Sequence, residues 1–415
     1  MTKTIWQDKI VIFGAGKIGR SFIGQLFSRG GYEVVFIDVY QQIINELNIR
    51  KCYNVNIKSE WEEIINITNV RGVHGNDAPA VAFEVATAGL VAISVGLHGL
   101  NGIIPLLAKG LQQRFAIDKK SALDIIIAEN MRNADTFFRE ELGKIMPKDY
   151  PFDKLVGLVE TSIGKMVPIM LKKDVEEDIL QVFAEPYNTL ILDRKAFKNP
   201  IPQIPGLSPK ENMKAWVDRK LFIHNLGHAA TAYIGFLHNP GFVYLYEALA
   251  MPAVHDMVRE TMEESADILL QKYPDEFSKQ DLNDHISDLL IRFQNKALGD
   301  TIFRVGCDLS RKLGPEDRLS GAIKAAILFD LPYSKVLYAL ICGFHFRSTD
   351  EHKKMLPQDI EFVQLYEKGI AGVLTTVCCF DPIQDCQLFE EARAIDGDIL
   401  IQANNFTFRK NFHEF

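Results

Sequence analysis

Six cysteines in 415 residues, none of them in a Cys-x-x-Cys pair, leave neither a disulfide framework nor a zinc-ribbon spacing to read. A chain this long buries enough surface to do without such staples, so Cys52, Cys307, Cys342, Cys378, Cys379 and Cys386 are expected as reduced thiols and the protein as cytoplasmic. A surplus of positive charge is missing too: 46 Lys and Arg stand against 54 Asp and Glu, a net charge of −8. That balance disfavours global electrostatic capture of nucleic acid or of an anionic membrane, while leaving room for a local basic pocket. No apolar run can span a bilayer, since the longest uncharged stretch, Val85 to Leu97, is too short and is broken by Gly89 and Gly96. Met1 to Phe13 carries Lys3, Asp8 and Lys9 in place of an apolar signal core, so no export signal is expected. Also absent are a fixed-period repeat, a low-complexity tract, a Gly-x-Ser-x-Gly elbow and a Walker loop.

What is present is a globular composition, 47% hydrophobic and 24% charged, at a length that suggests two domains. The first half alternates short apolar runs with helix-like segments, the pattern of a parallel sheet covered by helices on both faces. Strands are expected at Lys9 to Phe13, Glu33 to Ile37, Leu90 to Val95 and Leu123 to Ala128. The stretch Asn199 to Pro209 holds prolines at 200, 202, 205 and 209, which fix φ and remove backbone donors, so neither a helix nor a central strand can pass through it. The boundary is therefore expected there, with domains at 1–205 and 206–415. Beyond it the apolar spacing turns helical, in Ala215 to Leu237, Val243 to Tyr273, Asp281 to Phe293 and Leu319 to Phe329. Pro252 is expected to kink or divide one of these segments, and Asp396 onward to form a short strand or a loose tail.

Directly after the first strand stands Gly14-Ala15-Gly16-Lys17-Ile18-Gly19, opening a helix whose apolar stripe is Phe22, Ile23, Leu26 and Phe27. In such a turn the first glycine makes the bend, the second lets the backbone approach a diphosphate, and the third lets helix and strand pack closely. The phosphates then meet free N–H groups at the helix start. Alone the pattern is weak evidence, but the second strand ends in Asp38, near the spacing at which an acidic side chain takes the ribose 2′-OH. The pair predicts a Rossmann-type dinucleotide-binding domain. Asp38 favours NAD over NADP because it would repel a 2′-phosphate, and Tyr40 is a candidate adenine neighbour. The overall fold class is α/β, with this domain followed by a mainly α-helical one.

Cofactor binding is not catalysis, and the chemistry has to come from elsewhere. Past the boundary lie Lys220, Asn225 and His228. At about 100° per residue His228 falls roughly 80° and Asn225 roughly 140° from Lys220, one arc of a helix. Gly227 lies in the same arc and is expected to leave room for a substrate or a nicotinamide ring. A desolvated lysine can serve as general base for an alcohol, an asparagine can polarise the oxygen that becomes a carbonyl, and His228 can hold the substrate or the lysine. A second amide, Asn130, follows the strand Leu123 to Ala128, at the carboxyl end where open α/β sheets bind ligands. His224-Asn225-Leu226-Gly227-His228 imitates the zinc-protease His-Glu-x-x-His pattern, with Glu247 further on, but Asn225 stands where the general-base glutamate is needed. No metal is expected.

The chain resembles the long-chain polyol (mannitol) dehydrogenase family along nearly its whole length. The resemblance is carried by Phe13 to Gly24, Glu129 to Met131, Pro205-Gly206, Arg219 to Gly235, Arg292-Phe293 with Asn295, Arg304-Val305-Gly306, Arg311-Lys312-Leu313, Asp317-Arg318-Leu319 and His345-Phe346-Arg347. It implies a zinc-independent NAD-linked oxidoreductase in which Lys220 is the base and Asn130 and Asn225 polarise the reacting oxygen. Compact length and the Arg311-Lys312-Leu313 run favour the branch acting on phosphorylated polyols, hence D-mannitol 1-phosphate and D-fructose 6-phosphate, with Arg304, Arg311 and Lys312 as candidates for the phosphate. Hexuronate reduction and oxidation of free mannitol are the alternatives within the family, and a non-catalytic NAD-binding protein the alternative outside it. Two departures concern the substrate more than the reaction: Gly164-Lys165 replaces the family's usual Asp-Arg pair, and His224 stands where a small or apolar residue is usual. A sugar or polyol phosphate is the expected partner, without nucleic acid or membrane, in a monomer or a homodimer.

Overall fold

The computed structural model describes residues 4–59, 61 and 63–412, with side chains through residue 401. Two compact units are present, Met1–Val217 and Asp218–Phe415. In the first, strands β1 (Trp6–Phe13), β2 (Glu33–Asp38), β3 (Cys52–Ile57), β4 (Glu63–Thr68), β5 (Val70–His74), β6 (Ala88–Ile93), β7 (Leu123–Ile127), β8 (Val156–Ile163), β9 (Val182–Ala184), β10 (Leu190–Asp193) and β11 (Leu207–Lys210) form two sheets. The larger runs β11-β10-β8-β7-β6-β1-β2-β5 and the smaller β4-β3-β9.

From β8 to β5 the large sheet is parallel, whereas β10 pairs antiparallel with β8 and leaves β11 as an edge. Both faces are covered, so successive residues of one strand enter different cores. Ile10 and Ile12 of β1 pack with Phe22, Leu26, Phe27 and Tyr53, while Val11 and Phe13 pack with Val81, Val85, Leu107 and Phe138. The four expected strands are present, with ends shifted by at most three residues, the largest shift being β1, which starts at Trp6 and not at Lys9. Leu207–Lys210, at the end of the proline-rich stretch, adds the edge strand β11, a position where Pro209 costs no central ladder bond.

The second unit is helical among the described residues. Pro252 divides its segment, standing first in the helix Pro252–Lys272 after Leu245–Leu249 ends. The expectation of a strand or loose tail after Asp396 is corrected: Cys386–Phe412 is one helix. It is anchored by buried Leu388, Phe389, Ala392 and Ile399. Asp396 Oδ1 lies 2.8 Å from His345 Nε2 and accepts from the Tyr366 hydroxyl at 2.6 Å.

Candidate active site

The glycine turn joins β1 to a helix that passes through a π-helical stretch, Gly19–Gly24. Gly14 sits at φ +97°, and a Cβ there would lie 2.3 Å from the Ser94 carbonyl oxygen. A Cβ on Gly19 would lie 2.0 Å from the Gly14 carbonyl oxygen, so both positions demand glycine, one for the bend and one for close packing. A Cβ on Gly16 would meet nothing within 4 Å. Gly16 and Lys17 are exposed, Ile18 is half-buried, and Gly14, Ala15 and Gly19 are buried. A cleft of about 430 Å³ opens against the turn, lined among others by Gly14, Gly16, Asp38, Asn76, Ser94 and His98. An open face at the second glycine with an acidic side chain at the end of β2 is the shape that a dinucleotide's diphosphate and ribose require.

Asp38 is held in place. Its Oδ2 accepts from the Ala15 N–H at 2.7 Å and its Oδ1 from the Tyr40 N–H at 2.9 Å. Beyond β6 and β7, Glu129 Oε1 accepts from Gly96 N–H at 2.9 Å, bracing the segment that borders the cleft. Burial raises the Glu129 pKa despite the Gly96 and Val95 N–H donors. Asn130 follows Glu129 directly after β7, in this same unit.

Lys220, Asn225 and His228 belong to the second unit, on consecutive helical segments Met213–Arg219, Lys220–Asn225 and Leu226–His238. The middle segment is a π-helix, with the Leu226 N–H reaching back to Leu221. Its five-residue repeat brings Asn225 nearer to the Lys220 face than the 140° offset of an unbroken α-helix. The Phe222 carbonyl, passed over by Leu226, accepts from the buried Ser265 hydroxyl at 2.6 Å. Burial, aided by the Arg318 charge, brings the Lys220 ammonium down to about 8.

His228 Nε2 donates to Asp300 Oδ2 at 2.9 Å, and its ring stacks on Phe293 with centroids 4.8 Å apart. Burial and the charges of Arg304, Arg318, Lys312 and Arg292 hold its pKa well below the usual imidazole range. Asp300 is already paired with Arg304, so its charge is compensated and the ring is neutral, which leaves Nδ1 as its acceptor. His224 is buried, packs edge-on against His228 and Phe293, and is likewise kept neutral by burial first and then by Arg292, His228 and Lys220. The expectation for Gly227 is corrected: a Cβ there would lie 2.5 Å from Met262 Sδ, so this glycine lets two helices pack and opens no substrate space.

The three cations expected to hold a phosphate differ in their settings. Arg304 is half exposed and paired with Asp300. Lys312 is buried, donates to the Val305 carbonyl at 2.7 Å, and is brought down to about 8, chiefly by burial. Arg311 is exposed, tied to Asp308 and 3.8 Å from Asp317. Three residues that bear on Lys220, Asn225 or His228 escaped the sequence reading of the site. They are Arg318, which is buried, binds Asp317 at 2.7 Å and reaches the Asn225 carbonyl at 3.5 Å, together with Asp300 and Phe293. Arg318 and Phe293 stand inside family-like motifs, whereas Asp300 carries no local signal. Among the described residues no cluster of three His, Cys, Asp or Glu is placed to hold a metal, and no helix is long and apolar enough to cross a membrane.

The mannitol dehydrogenase Rossmann domain matches residues 8–206, and the mannitol dehydrogenase C-terminal domain matches residues 212–393. Among solved structures, D-sorbitol dehydrogenase in substrate-free form superposes with a TM-score of 0.80 at 14% identity, covering 96% of this chain and 93% of that one. The Pseudomonas fluorescens mannitol 2-dehydrogenase in ternary complex with NAD and D-mannitol gives a TM-score of 0.72 at 15% identity, covering 99% and 95%. At these identities the likeness speaks for the fold, and the two domain matches speak for the family. The chain belongs to the mannitol dehydrogenase family and is an NAD-dependent polyol dehydrogenase.

Proposed function

We propose that this enzyme is a mannitol-1-phosphate 5-dehydrogenase, interconverting D-mannitol 1-phosphate and D-fructose 6-phosphate with Lys220 as general base. The observation that carries the reaction is the Lys220 ammonium, brought down to about 8 by burial and Arg318. An amine at that value can accept a hydroxyl proton near neutral pH and return it in the reverse direction. Bound NAD supplies the hydride acceptor, and NADH the donor in reverse. Asn225 polarises the substrate oxygen, and His228, with Nε2–H given to Asp300, offers Nδ1 to a substrate hydroxyl. The phosphate reading draws on Arg304, Arg318, Lys312 and Arg292, whose charges all bear on His228 in a chain of net charge −8. Free thiols at all six cysteines suit a reducing cytoplasm.

One observation favours a second reading, the oxidation of a free polyol: Arg304 already has Asp300, and Lys312 already has a backbone carbonyl. NADH oxidation compared across fructose 6-phosphate, fructose, tagaturonate and fructuronate decides between them. The proposal expects fructose 6-phosphate to lead, and a lead for any of the others removes the phosphate assignment. Lys220→Ala is expected to keep NADH affinity and to lose on the order of a hundredfold or more in kcat. An unchanged kcat would remove Lys220 as the base, and NADH binding without turnover of any substrate would favour a non-catalytic NAD protein. Asn130→Ala, assayed alongside, tests the second amide of the sequence reading.

A further inference from the structure

Arg20 follows the glycine turn directly and is buried, 6% exposed, although among the described residues no carboxylate is in hydrogen-bonding contact with it. Its guanidinium donates to three backbone carbonyls: Nε to Ala15 at 2.7 Å, and Nη1 to Leu180 at 2.6 Å and to Ile179 at 3.1 Å. Burying a cation against neutral acceptors is costly, and helix packing alone would be served by an apolar residue. The Ala15 carbonyl shares one trans peptide with the Gly16 N–H, and the two point in opposite directions. An oxygen drawn toward Arg20 therefore sends the Gly16 N–H away from the guanidinium, and Gly16 lines the cleft with nothing within 4 Å of where its Cβ would stand. The preceding N–H, that of Ala15, is spent on Asp38. Two successive peptides of the turn are thus set by two charged side chains, Asp38 from β2 and Arg20 from the helix.

The far end of the guanidinium is fixed as well. Ile179 and Leu180 lie in a turn on Asp178, whose Oδ1 accepts from Leu180 N–H at 3.0 Å and from Arg50 Nη1 at 2.7 Å. Tyr53 of β3 donates to the Arg20 carbonyl at 2.7 Å. The small sheet is in this way tied to the glycine turn through Arg20.

We infer that Arg20 is a positioning residue for the cofactor's diphosphate: from behind the turn it orients and polarises the Ala15–Gly16 peptide and sets a buried positive charge beneath the anion. The inference rests on reading Gly14–Gly19 as the diphosphate turn. Without Arg20 the Ala15 carbonyl is free to rotate, the Gly16 N–H loses its direction, and the phosphates lose both a donor and a charge. The adenosine end, held elsewhere in the cleft, keeps its contacts.

The test is binding, not turnover. Affinities of ADP-ribose and of adenosine are measured by displacement of bound NADH fluorescence on the wild type, Arg20→Gln and Arg20→Lys. Arg20→Gln is expected to weaken ADP-ribose by on the order of ten- to a hundredfold, the loss of charge-assisted hydrogen bonds, while adenosine changes by less than about threefold. Arg20→Lys keeps a charge with fewer donors and falls between wild type and Arg20→Gln. Equal losses for both ligands, or no loss for ADP-ribose, overturn the proposal. If Arg20→Gln does not fold, Arg20→Lys decides alone: an ADP-ribose affinity equal to wild type overturns the proposal, and a selective loss supports it. Gly16→Val separates the underlying reading, because its side chain enters open space. If NADH affinity survives that change, the diphosphate turn itself is misread; if NADH affinity is lost while both Arg20 variants bind ADP-ribose normally, only the role of Arg20 fails.

Discussion

At the scale of single residues, Asp38 is the proposed selector of the cofactor. Accepting from Ala15 and Tyr40 N–H groups, its carboxylate is a fixed negative point at the end of β2, able to take a ribose 2′-OH and to repel a 2′-phosphate. Asp38→Asn keeps an oxygen acceptor and removes the charge, so the preference for NADH over NADPH, read as the ratio of their kcat/KM values, is expected to fall by about tenfold. An unchanged ratio would mean that another residue makes the choice. Gly14, Gly19 and Asp38 were legible in the sequence because their demands are local, a positive φ, a missing Cβ and a strand end. Arg318 was not singled out, since its tie to the Lys220–Asn225 segment depends on a fold that brings it to Asn225 from 93 positions away. Arg311, by contrast, has its acidic partners close by in sequence, so its visible charge is already answered.

At the scale of elements, the apolar alternation of β1, β2, β6 and β7 and the break at Pro252 could be read in advance, because periodicity and a missing N–H act within a few residues. The π-helical segment Lys220–Asn225 could not. Nothing in Lys-Leu-Phe-Ile-His-Asn forbids a plain α-helix, and the register is accompanied by a hydroxyl 43 residues on, Ser265, which takes up the passed-over Phe222 carbonyl. We expect Ser265→Ala to leave that carbonyl buried without its partner and to let the segment relax toward α geometry. Lys220 would then lose part of its enclosure. The midpoint of the pH–rate profile for polyol oxidation, expected near 8 in the wild type because the base must be neutral, would move upward, with kcat at pH 7.5 falling several-fold. Ser265→Thr, which keeps the hydroxyl, should restore the midpoint. A profile identical to wild type in Ser265→Ala would show that the hydroxyl merely satisfies a carbonyl and has no part in aiming Lys220.

At the scale of the whole molecule, a chain of net charge −8 holds, in its second unit, buried histidines with several cationic neighbours. Their burial, with those neighbouring charges, makes the fold sensitive to acid. His224 is neutral in the folded chain, its pKa lowered well below the usual value by burial and by neighbouring charges. In the unfolded chain it takes a proton below about pH 6.5. Below that pH the unfolded state therefore binds more protons than the folded one, so stability is complete above about 6.5 and declines as pH falls. Each such imidazole contributes a loss of about 1.4 kcal/mol per pH unit until its folded pKa is reached. Carboxylates titrate over the same interval, so the contribution of His224 is isolated by difference. Urea unfolding of wild type and His224→Gln, monitored at several pH values between 6 and 5, is expected to show a pH slope shallower by about 1.4 kcal/mol per unit in the variant. Identical slopes would mean that His224 is protonated within the fold and that its burial beside Arg292 and Lys220 does not hold the proton off.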